Sequence, residues 1–82
     1  MTATIRDIMD WLDEAKRKKA THLIVVCDTW DHDNYPVYVY KGDDVRTVAG
    51  KYMGQNMQRI DEIYNMHMDL DTQLSATRAY NL

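Results

Sequence analysis

The chain has no phenylalanine, a single cysteine, a single proline and three glycines in 82 residues. One cysteine excludes an internal disulfide, and the place of Cys27 inside an apolar run makes it a small buried hydrophobe, inert as a nucleophile. So little glycine and proline leaves no linker, no low-complexity segment and no phosphate-cradling glycine loop; a nucleophile elbow and a zincin motif are also missing. No apolar run reaches 18 residues, so nothing is expected to span a membrane, and charges throughout residues 1–20 do not fit a signal peptide. Excess positive charge is absent too. A net charge of −3 and a pI near 5.4 argue against direct nucleic-acid binding, which needs a basic face. These absences predict a soluble cytoplasmic chain with no cofactor, no metal and no catalytic residues.

What is present makes one domain, residues 1–82, with an ordinary apolar fraction of 45%. Six tyrosines, two tryptophans and six methionines supply the bulk that phenylalanine does not. Buried tyrosine and tryptophan need partners for their polar ends, so many belong at a core margin or an interface. The chain is organised around residues 22–40, HLIVVCDTWDHDNYPVYVY. An apolar run at 23–27, a polar break and a β-branched and aromatic run at 35–40 predict a hairpin whose first strand is buried on both faces. Strands are expected at about 21–28 and 35–41. Pro36 lacks an amide donor and belongs at a strand start or on an edge.

Residues 4–19 predict a helix with an apolar stripe of Ile5, Ile8, Met9, Leu12 and Ala15, capped by Thr4 through the Asp7 amide. Trp11 is expected half-buried at the margin of that stripe. Lys16, Arg17, Lys18 and Lys19 complement the negative helix end, and Asp13–Arg17 and Glu14–Lys18 are spaced to pair. Gly42-Asp43-Asp44 ends the second strand and caps a second helix carrying Val45, Val48, Ala49 and Tyr52, with Gly54 as its stop. Residues 55–68 fit either period: Met57, Ile60 and Tyr64 a helix, Tyr64, Met66 and Met68 a strand. A strand at about 58–67 is favoured, since a lone hairpin is marginal in water. Asp69 or Asp71 then caps a short helix with Leu70, Leu74 and Tyr80. The expected fold is α+β, in the order α-β-β-α-β-α: a small, mostly antiparallel three-stranded sheet covered by helices on one face.

Candidate functional residues concentrate around the polar break. Asp28, Asp31, His32, Asp33 and Asn34 lie there, and Asp43 and Asp44 follow in sequence. Asp31-x-Asp33-x-Tyr35 opens like a calcium loop, but Pro36 stands where that loop needs glycine and Gly42 where it needs glutamate. His22 and His67 have no paired-ligand spacing. A solvated turn would explain the acids by turn preference alone. The sharper reading is a partner-binding surface of Asp28, Trp30, Asp31, His32, Asp33, Tyr35, Asp43 and Asp44, in which aromatics anchor and acids steer. Tyr38, Val39 and Tyr40 offer a strand edge through which two copies could pair as a homodimer.

The phrases ATHLIVVCDTWDHDNYPVYV, GDDVR, QNMQRIDEIYNM and QLSATRAYN span nearly the whole chain. Together they resemble a group of small uncharacterised tailed-bacteriophage proteins with a THxIVVCDTxDxxDYPVYV-like hairpin. Where that pattern has an acid before Tyr-Pro, this chain has Asn34. The group carries no assigned activity, so the resemblance implies no catalytic residue. It implies a small acidic protein that binds a host protein without catalysis, as an inhibitor of host defence. A small metal-dependent or nucleotide-binding enzyme and a homodimeric structural accessory are the alternatives.

Overall fold

Thr4 starts the first helix by a reciprocal cap: its hydroxyl accepts from the Asp7 amide at 3.2 Å, and the Asp7 carboxylate accepts from the Thr4 amide at 3.0 Å. The structure is a computed structural model that describes residues 4–30, 33–53, 58–76 and 80–82. Its elements are α1 (Ile5–Arg17), β1 (His22–Asp28), β2 (Asn34–Val39), α2 (Val45–Gly50), β3 (Gln58–Asn65) and α3 (Leu70–Ser75). This is the expected order, α-β-β-α-β-α, with residues 58–65 extended.

Along α1, Leu12 and Ala15 are buried and Ile8 and Trp11 half-buried. Ile5 and Met9 sit on the flank of that band and stay 57% and 53% exposed, so the buried stripe is narrower than the spacing suggested. The helix ends in a Schellman motif: the Ala20 amide donates to the Ala15 carbonyl at 2.9 Å and the Lys19 amide to the Lys16 carbonyl at 3.1 Å. Lys19 therefore takes a left-handed backbone, φ 57°, at the position where helices usually place glycine. The basic turn is only partly paired as its spacing suggested. Glu14 holds Arg17 at 2.7 Å and Lys18 at 3.9 Å, so Arg17 turns to Glu14.

The sheet order is β2-β1-β3, antiparallel throughout. With β1 in the centre, both its faces are buried, and each contributes alternate residues to a core. Ile24 and Val26 pack with Val39, Ile60 and Ile63 under Val45, Val48 and Ala49 of α2. Leu23 and Val25 pack with Tyr64 under Ile8, Trp11 and Leu12 of α1 and Leu70 and Leu74 of α3. Helices thus cover both faces, where cover on one was expected. Five consecutive buried residues at 23–27 require this, since an uncovered face would leave every second one in water.

One irregularity shapes β3. Val25 faces Glu62 and Val26 faces Ile60, so Asp61 is an extra residue bulged out of the ladder. The bulge puts Ile60 and Ile63, three apart, on one face of a strand. Tyr80 and Asn81 lie along part of the outer edge of β3. Tyr80 bridges Ile63, the Asn81 amide donates to the Ile63 carbonyl at 3.0 Å, and the Tyr80 hydroxyl donates to the Ile60 carbonyl at 2.7 Å. Among the described residues no strand pairs with the outer edge of β2. No helix among them is long and apolar enough to cross a membrane.

Candidate functional site

The turn between β1 and β2 is held from its first residue. The Asp28 amide donates to the Asp33 carbonyl at 2.8 Å, and an Asp28 carboxylate oxygen accepts from the Trp30 amide at 2.9 Å. This aspartate turn fixes the backbone and leaves the Trp30 indole outside, 77% exposed. Asp33 is exposed and Asp28 half-buried. Asp31 and His32 lie outside the described residues.

Behind the turn, a polar clasp crosses the sheet. The Asn34 amide group on β2 donates to the Asp61 carboxylate on β3 at 2.9 Å, passing 3.4 Å from the Val26 carbonyl of the strand between them. Arg59 holds the other Asp61 oxygen at 3.2 Å. An acid at position 34 would set a second carboxylate against Asp61. The amide donates where an acid would repel, which accounts physically for Asn34 before Tyr35-Pro36.

The remaining sequence candidates have other surroundings. Tyr35 is half-buried: its hydroxyl meets the Gln58 amide, and its ring meets Tyr52 edge-on at 6.4 Å. Burial, and then the neighbouring Tyr52, raise the Tyr35 pKa. Asp43 and Asp44 follow β2, whose last residue, Val39, faces His22 at the start of β1. They therefore lie at the far end of the sheet from Trp30, a strand length of about 20 Å away. Asp44 caps α2, accepting from the Arg46 amide and the Thr47 hydroxyl, each at 3.1 Å. The structure thus brings Asp28, Trp30 and Asp33 together and leaves Asp43 and Asp44 apart from them.

The edge candidates also divide. Val39 is fully buried, and its carbonyl accepts from the Thr21 amide at 2.7 Å. Tyr38 is half-buried beneath the Lys18 ammonium, 4.5 Å from the ring centroid. Tyr40 is exposed.

Two arrangements escaped the sequence reading. Gln73, only 4% exposed, accepts from the Asn65 amide at 2.6 Å and donates to the carbonyls of Asn65, Asp69 and Met68 at 2.9, 3.1 and 3.3 Å. It ties the end of β3 to the start of α3. The other is a cleft at the far end of the sheet, lined by Lys19, Ala20, Thr21, Lys41, Met66 and His67. No carboxylate is among its lining residues, and residues so distant in the chain carry no common motif.

Among the described residues no three His, Cys, Asp or Glu side chains cluster to hold a metal ion. Comparison of the chain with protein-family models, curated proteins and solved structures finds no match in any of the three.

Proposed function

We propose that the protein acts by stoichiometric binding to another protein through the β1–β2 turn, without catalysis. One observation carries this reading: an indole 77% exposed on a residue whose amide the Asp28 carboxylate already holds, so that the turn does not need the indole. Asp28 and Asp33 beside it suit a partner with a basic surface, where acids speed encounter and fix orientation. The resemblance to tailed-bacteriophage proteins supports a partner in the host cytoplasm and an inhibitory, anti-defence role. Affinity capture from host lysate, repeated with Trp30→Ala and with Trp30→Ala/Asp31→Lys, tests it. A saturable partner held by the wild type and lost by both variants is the expected result. A partner held equally by all three places the surface elsewhere.

A second reading has its own observation. Among the described residues no strand pairs with the outer edge of β2, while Tyr80 and Asn81 pair with part of that of β3, so pairing of two copies would run along β2. Light scattering at high concentration separates a homodimer from a strictly 9.7 kDa species.

A further inference from the structure

The cleft at the end of the sheet opposite Trp30 has a charge pattern that the rest of this acidic chain does not lead one to expect. Lys19 reaches it from the end of α1, Lys41 from beyond β2 and His67 from beyond β3, around a volume of about 500 Å³. Neither lysine forms an ion pair among the described residues. Complementing the α1 dipole accounts for Lys19 at most, since Lys41 and His67 come from other elements.

The backbone adds an independent observation. Lys19 is the one non-glycine with positive φ among the described residues, and a Schellman motif would be better served there by glycine. A lysine kept in left-handed backbone at the mouth of a cationic cleft is local strain retained beside a site. Thr21, which lines the cleft, is also held in place. Its amide and hydroxyl both meet the Val39 carbonyl, at 2.7 and 3.2 Å, and His22 Nδ1 lies 2.9 Å from the hydroxyl oxygen.

We propose that this cleft binds a small phosphate-type oxyanion, held by the Lys19 and Lys41 ammonium groups and the His67 ring. It is independent of the turn at the other end of the sheet.

Titration of the full chain with inorganic phosphate at constant ionic strength, followed by amide chemical shifts against a chloride reference, tests the proposal. Saturable shifts at Lys19, Thr21, Lys41 and His67 are expected. Lys19→Gly should melt higher than the wild type yet bind phosphate about tenfold more weakly, and Lys41→Gln should weaken it similarly. Adenosine 5′-monophosphate, as a second probe, reports the source: tighter binding than phosphate supports a nucleotide, equal or weaker binding a free phosphate. Shifts no different from chloride, or unchanged affinity in both variants, overturn the proposal.

Discussion

Single residues in this chain carry unequal consequences, and Gln73 shows the widest gap between its look in the sequence and its place in the structure. Its side chain satisfies backbone groups on both sides of the turn from β3 to α3. Gln73→Ala should cost about 2–3 kcal/mol in urea unfolding, because buried donors and acceptors lose partners; a loss below about 0.5 kcal/mol would show that water replaces the amide fully. Lys19→Gly should move the other way, stabilising by about 1 kcal/mol through relief of the left-handed backbone. His22 gives the pH dependence. Burial, and then the charge of His67, hold its pKa below the ordinary 6.5, while the Leu82 backbone pulls the other way without a hydrogen bond of ordinary geometry to Nε2. The folded state then prefers the neutral ring, so the unfolded state binds more protons as pH falls. The contribution is present above pH 6.5 and is lost as pH drops through and below it. Urea midpoints at pH 7.5 and 5.5 should show a loss that His22→Gln reduces.

At the scale of elements, the strands explain which parts of the fold could be read from the residues. The apolar run at 23–27 has one reading, a strand buried on both faces, and β1 is that strand. Residues 58–65 were harder because the Asp61 bulge breaks the two-residue alternation. Ile60 and Ile63 share a face at a spacing that imitates a helix. Asp43 and Asp44 looked close to Asp28 because a sequence shows distance along the chain, whereas the antiparallel return of β2 carries them to the opposite end. The Asn34–Asp61 clasp needs the β2-β1-β3 order, which no local pattern encodes. Asn34→Asp should destabilise by about 1–2 kcal/mol at pH 7, with the gap to wild type closing near pH 4 as a carboxyl is protonated. The β2 edge carries its own guard. Asp28 and Asp33 form a hydrogen-bonded pair, so by alternation Val25 and Pro36 do not, and the Pro36 nitrogen faces outward. Pro36→Thr puts a donor on that edge and should raise the apparent mass in light scattering; an unchanged mass would deny the guarding role.

The whole molecule is a sheet enclosed by helices on both faces, with a Cα radius of gyration of 11.8 Å. Both faces of the sheet are used for packing, and the two candidate sites lie at its ends. One end shows an exposed indole among acids, the other a cleft lined by lysines and a histidine. The central claim is that the Trp30 end is a protein-binding surface. It is tested most directly by comparing wild type and Trp30→Ala in a quantitative binding titration against the captured partner, with thermal melting alongside. An indole this exposed contributes little to folding, so melting should be unchanged, while affinity should fall by at least about 30-fold. Equal affinity for the two proteins, with melting unchanged, would contradict the account.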